Sequence, residues 1–140
     1  MRNREERRKM NGTWKIGAAV AFGGAVGALS RYAISVFIIS PWPIATLLVN
    51  IIGSFILGIL TGYAFKKKIA GWLKAVIGTG FCGGLTTMST FSKEVVQLLT
   101  NGHIFQSIIY MVISLVGGLL VCGLGLIIGM GQIARKEEAS

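Results

Sequence analysis

An all-α membrane protein of four transmembrane helices is the fold this sequence predicts, and three observations predict it. The 140-residue chain is 53% hydrophobic, only 14% of it is charged, and the charges gather in short clusters between long neutral runs. Soluble domains carry roughly 25% charged residues, so a bilayer is the natural solvent for the neutral runs. Two prolines in the whole chain exclude a collagen-like or proline-rich disordered segment.

The elements follow from length. A spanning helix needs roughly 20 mainly apolar residues, because about 30 Å of hydrocarbon is crossed at about 1.5 Å per residue. Stretches near Ile16–Ile39, Ile44–Phe65, Trp72–Leu99 and Ile104–Met130 meet this requirement, with short connections between them. The expected organisation is one transmembrane domain over 1–140, with a basic leader over 1–14 and a tail over 131–140. The first apolar run is too long for the core of a cleavable signal peptide, so the leader is expected to stay. Cys82 and Cys122 fall inside spans as small buried residues, and neither a disulfide nor a cysteine metal site is expected.

Charge gives the orientation. Arg2, Arg4, Arg7, Arg8, Lys9 and Lys15 precede the first span, Lys66, Lys67, Lys68 and Lys74 separate the second from the third, and Arg135 and Lys136 follow the fourth. With four spans these segments share one face, while the loops around Ser40-Pro41-Trp42-Pro43 and Thr100-Asn101-Gly102-His103 hold no Lys or Arg. The positive-inside rule then puts both termini in the cytoplasm. A net charge of +9 on short segments beside apolar spans serves topology and contact with anionic lipid, so nucleic acid is not an expected partner. Trp14, Trp42 and Trp72 stand at span ends, where interfacial aromatic residues anchor a helix.

Polar groups at bilayer depth cost free energy and ask for a partner or a wet path. In the first span Gly23, Gly27 and Arg31 align at intervals of four; the glycines suit close helix packing, and Arg31 either snorkels or raises the potential of an anion path. In the second span Thr46, Asn50, Gly53, Ser54 and Thr61 share one side. Asn50 either bonds across to another helix or points its donors at an anion. The third span holds Gly78-Thr79-Gly80-Phe81-Cys82-Gly83-Gly84-Leu85-Thr86-Thr87-Met88-Ser89-Thr90-Phe91-Ser92, a poor continuous helix, and a break is expected near Gly83–Thr86. Such a break is tolerated where it is buried in protein or lines a cavity, and it frees carbonyls able to hold a cation. Lys93 and Glu94 follow, either as an interface pair or facing an aqueous entrance. In the fourth span Tyr110, Ser114, Gly118, Cys122, Gly125 and Gly129 make a small, partly polar face.

Three fragments in order, Gly23-Gly24-Ala25-Val26-Gly27-Ala28-Leu29-Ser30-Arg31-Tyr32, Thr46-Leu47-Leu48-Val49-Asn50-Ile51-Ile52-Gly53-Ser54-Phe55, and Gly80-Phe81-Cys82-Gly83-Gly84-Leu85-Thr86-Thr87 with Ser89-Thr90-Phe91, resemble the Fluc (CrcB) fluoride ion channel family. The resemblance runs from Gly23 to Gly118. It implies a passive fluoride-selective channel of the cell inner membrane, built as an antiparallel dimer with two pores, that lets fluoride leave the cell. By position it implies that Asn50 lines the pore, Phe91 edges it, and Tyr110 and Ser114 belong to its polar track. It also implies that the carbonyls of Gly83 and Thr86 hold a structural sodium ion, not transported, between two subunits. The chemistry agrees: a small, strongly hydrated anion needs donors to replace water, which Asn50, Thr87, Ser89, Thr90 and Ser114 carry, and a ring edge is positive without a full charge.

Two features depart from the family pattern. Met88 stands where the family usually has phenylalanine, replacing an aromatic edge by a flexible thioether. The charge bias predicts insertion in one orientation, hence pairing with an oppositely oriented paralogue in place of a copy of itself. Two other classes compete. A small multidrug exporter needs a membrane carboxylate, which the first span lacks, and a non-conducting membrane subunit would use its glycines for packing alone. An enzyme is not expected, because the lone His103 sits in a loop without an acid or nucleophile pattern.

Overall fold

A computed structural model describes residues 4–66 and 69–137, with side chains over 12–65 and 69–131. Arg2, Lys67 and Lys68, and the side chains of Arg4, Arg7, Arg8, Lys9, Lys66, Arg135 and Lys136, lie outside the described residues, so the charge asymmetry stays a property of the sequence. Among the described residues all regular structure is helical: α1 (Arg4–Phe37), α2 (Ile44–Lys66), α3 (Gly71–Lys74), a π-helical stretch (Ala75–Cys82), α4 (Gly83–Leu85), α5 (Met88–Thr100) and α6 (Ile104–Glu137).

Three segments are long and apolar enough to cross a membrane, Gly12–Phe37, Ile44–Phe65 and Ile104–Gly131, close to the first, second and fourth expected spans. α1 has 34 residues, about 51 Å at about 1.5 Å each, so the helix continues past its apolar part into the basic leader. The loops stop the helices by local chemistry. Pro41 and Pro43 fill the link before α2, where Trp42 N–H donates to Ser40 Oγ at 3.2 Å. After α5 the chain turns at Gly102, φ +80°, with His103 N–H on Leu98 O at 2.8 Å and Gly102 N–H on Leu99 O at 3.1 Å. That is a Schellman stop, and it needs a residue at ease in the left-handed region.

The expected third span is not one helix. Its first half is π-helical, which the sequence reading did not foresee, and the chain leaves the helix at Thr86 (φ −79°, ψ 157°) and Thr87 (φ −150°, ψ 128°). The break thus falls at the C-terminal edge of the stretch expected to carry it.

Close packing follows the glycines. A Cβ on Gly58 or Gly62 would strike the carbonyl oxygens of Cys122 and Leu126, and one on Gly125 or Gly129 those of Phe55 and Ile59. α2 and α6 therefore touch backbone to backbone, as small residues permit. Gly23 and Gly27 play the same part for α1 against Val76 and Phe81. The buried core is small, chiefly Val49, Cys82, Leu85, Phe91, Val95 and Tyr110, while Phe22, Leu119, Leu120 and Ile127 lie exposed on the outer faces. An outside this apolar suits lipid. Cys82 and Cys122 are both free thiols, and the three tryptophans are exposed at the span ends.

Candidate functional site

The site forms where α1 and α2 meet the break. Two consecutive extended residues interrupt the helical ladder, so the backbone groups there need other partners. Asn50 on α2 supplies two of them: its Oδ1 accepts the Thr87 N–H at 2.8 Å and its Nδ2 donates to Thr87 O at 3.1 Å. Arg31 on α1 supplies a third, with Nη1 donating to Thr86 O at 3.3 Å. Thr86 closes α4 by donating both its N–H and its hydroxyl to Cys82 O, each at 2.9 Å. The Thr87 hydroxyl oxygen then starts α5 by accepting the Thr90 N–H at 3.2 Å, an N-cap of ordinary kind.

A second cluster lies one turn before Asn50 on α2 and one turn beyond Thr90 on α5. Glu94 on α5 accepts a hydrogen bond from the Thr46 hydroxyl at 2.8 Å on Oε1 and from the Tyr110 hydroxyl at 2.7 Å on Oε2. The Tyr110 ring packs on Phe91 with centroids 5.1 Å apart and planes tilted by 48°. One turn further along α6, Ser114 Oγ is buried with no hydrogen-bond partner among the described residues.

The expected residues therefore divide. Asn50, Thr87, Ser89 and Thr90 gather at the break, with Ser89 Oγ and Thr90 Oγ1 each 3.2 Å from Thr87 Oγ1. Phe91 is buried against Tyr110, whereas Met88 is 70% exposed and borders the groove. The Arg31 guanidinium holds the break, and the residue lines the middle cavity. Glu94 and Thr46 were absent from the expected pore lining. Glu94 is the lone acid near any span, and Thr46 precedes Asn50 by one turn, so both carried a signal.

Three cavities follow the site and share walls. One of about 430 Å³ opens beside the loops and is lined by Trp42, Thr46, Thr90, Glu94, Gln97 and Asn101. The next, about 220 Å³, includes Arg31, Ser35, Thr46, Thr87 and Thr90, and the last, about 360 Å³, includes Asn50, Ser54, Gly83, Thr86, Thr87 and Met88. Ser35, Ala45, Thr46 and Thr90 border the first two, and Thr87 the last two, so hydroxyl-bearing residues stand at each junction.

For a cation the break offers backbone oxygen. Thr87 N–H would serve Gly83 O in a continued helix, but it is taken by Asn50, and a Cβ on Gly83 would meet nothing within 4 Å. Thr86 O already receives Arg31 and has one lone pair left. These two carbonyls fit a hard monovalent cation in kind, but in number they fall short of a coordination shell from one chain. Among the described residues no group of His, Cys, Asp or Glu could hold a metal.

A multi-pass helical membrane protein with one helix interrupted and its break pinned by side chains from two others is the class that fold and site define. Residues 18–126 match the family described as CrcB-like protein, Camphor Resistance (CrcB). The chain belongs to that family, one of channels and not enzymes. It is similar to "Fluoride-specific ion channel FluC 2" of Bacillus subtilis, 46% identical over 82% of this chain and 88% of the relative. It is also similar to "Fluoride-specific ion channel FluC 1" of Desulfitobacterium hafniense, 47% identical over 71% of this chain and 90% of the relative. "Fluoride-specific ion channel FluC 2" of Halalkalibacterium halodurans is 38% identical over 92% and 96%.

Proposed function

We propose that this chain is a subunit of a fluoride-selective channel through which fluoride leaves the cell passively, relieving its toxicity. The observation that carries this reading is the run of three adjoining cavities whose shared walls include the hydroxyl-bearing Thr46, Thr87 and Thr90, together with the names of the relatives. Bond accounting separates the donors still available. Thr46 and Tyr110 spend their hydroxyl hydrogens on Glu94, and Asn50 spends one amide hydrogen on Thr87. The second Asn50 N–H and the Thr90 and Ser114 hydroxyls remain to replace water around a small anion, with Ser89 shared between Thr87 and the path. Met88 and Phe91 edge the path. No lysine ring encloses these donors, and weak repeated contacts favour passage over trapping.

The broken segment is read as a crossing of its own, giving four transmembrane helices with both termini cytoplasmic. Gly83 and Thr86 would hold a structural sodium ion, which would supply fixed positive charge between two antiparallel subunits, the second subunit completing the shell. The charge bias favours a partner that is an oppositely oriented paralogue. Fluoride efflux from liposomes holding this chain alone, read with a fluoride electrode against a chloride control, tests the reading. Fast efflux of fluoride alone is the result for a self-sufficient channel. Silence of the chain alone, with efflux restored by coexpressing the oppositely oriented paralogue, is the result for a mixed pair. Proton-coupled export would place the chain with the small exporters, and silence in both preparations would sink the channel reading.

A further inference from the structure

The side chain left over by this arrangement is Lys93. Of the fourteen Lys and Arg, twelve sit in the leader, the second connection and the tail. Arg31 is held on Thr86 O. Lys93 is exposed, and among the described residues it has no ion pair. Its neighbour Glu94 points the other way, with both oxygens already taken by Thr46 and Tyr110.

Its depth makes that exposure informative. Lys93 lies seven residues before the end of α5 at Thr100, about 10 Å along the helix, and half the hydrocarbon thickness is about 15 Å. Phe91 and Val95 are buried with Leu98 beside them, while Ser89, Ser92, Gln97 and Thr100 are exposed on the side of Lys93 together with the apolar Val96 and Leu99. The Ser92 and Thr100 hydroxyls are satisfied on carbonyls of their own helix, but the Lys93 ammonium and the Gln97 amide find no partners in lipid tails at that depth, so the strip they share faces water. Gln97, one turn nearer the loop, lines the outermost cavity, as do Thr90 and Glu94.

We propose that Lys93 is the charge that draws anions into this mouth, raising their local concentration ahead of the Thr46 and Thr90 junction without binding them. An ammonium on a solvated helix face keeps its water, so it attracts at a distance and does not trap. The effect on fluoride rests on the channel reading above; the field itself does not.

The experiment therefore reads both. Gln97→Cys is placed in the full-length chain with Cys122→Ser, and its modification rates by an anionic and a cationic methanethiosulfonate are compared with Lys93 present or replaced by glutamine. The two positions are one turn apart, about 6 Å, where a unit charge in water changes each rate roughly threefold. The anionic-to-cationic ratio is expected to fall about tenfold in Lys93→Gln and to hold in Lys93→Arg; an unchanged ratio overturns the proposal. In parallel, fluoride efflux of Lys93→Gln should fall severalfold at about 10 mM salt and recover toward wild type near 1 M, where the Debye length shrinks from about 30 Å to about 3 Å. Equal efflux at low salt overturns the steering role. A ratio that falls while no fluoride is carried either by the chain alone or by the chain coexpressed with the oppositely oriented paralogue keeps the field and sinks the channel reading instead.

Discussion

The α2–α6 pair and the pairing of α1 with the broken segment are built from the same device and reach opposite ends. In both, glycines bring one backbone against the carbonyls of another: Gly58 and Gly62 against α6, Gly23 and Gly27 against the π-helical stretch and α4. Along α2 and α6 the helical ladders run unbroken and the backbone satisfies itself. Beside α1 the ladder stops at Thr86 and Thr87, and Asn50 and Arg31 are spent repairing it. Close packing alone therefore does not make a site. The interruption does, because it is where backbone groups, hydroxyls and cavities become available together.

The largest expected effect strikes the repair. Asn50→Ala leaves the Thr87 N–H and C=O without partners, at about 1–3 kcal/mol for each unpaired buried group. Thermal unfolding in detergent should show a marked loss of stability, and fluoride efflux should vanish; a variant that melts like wild type would mean that the break does not depend on its clamp. The next pair sets the two regions against each other. Gly58→Ala and Gly27→Ala each push a methyl into a facing backbone, where overpacking costs about 1–3 kcal/mol. Gly58→Ala should cost more, because α6 is continuous whereas the segment facing Gly27 ends at a break and can shift. Equal losses in melting temperature would erase that distinction.

Smaller effects test the second cluster and the restart of the helix. Tyr110→Phe removes one donor from the Glu94 carboxylate, a bond worth about 1–2 kcal/mol at partial burial, and should slow efflux while leaving the ring packing on Phe91 intact. Thr87→Val removes the N-cap of α5 at about 1 kcal/mol. Its amide pairing with Asn50 survives, so hydrogen exchange should rise at the first turn of α5 and stay low elsewhere. Protection lost throughout α5 would show that the cap, and not the amide pair, holds the junction.

Much of this was legible in residue order. The aligned Gly23, Gly27 and Gly125, Gly129 announced backbone contact, and the polar side of α2 from Thr46 to Ser54 is the side that meets the broken segment. The run from Gly78 to Ser92 announced an interruption, though not the π-helical turns of Ala75–Cys82. Glu94 is visible as a lone acid, and of the two readings open for it, a pair with Lys93 or a place facing an aqueous entrance, the pair is not formed while Glu94 lines the outermost cavity. α5 sends the two to different sides, since neighbours on a helix stand about 100° apart.

By itself the sequence determined the apolar segments, their ends, the glycine-lined faces and the weak point in the third, because hydropathy, periodicity and backbone propensity act over a few residues. Only the tertiary structure decided that Asn50 closes on Thr87, 37 residues away, that Arg31 holds Thr86, 55 residues away, and that Thr46 and Tyr110 divide one carboxylate. A periodic pattern fixes which face of a helix is polar. The partner of each polar group depends on how the helices are rotated and shifted against one another, and that is settled by packing them together.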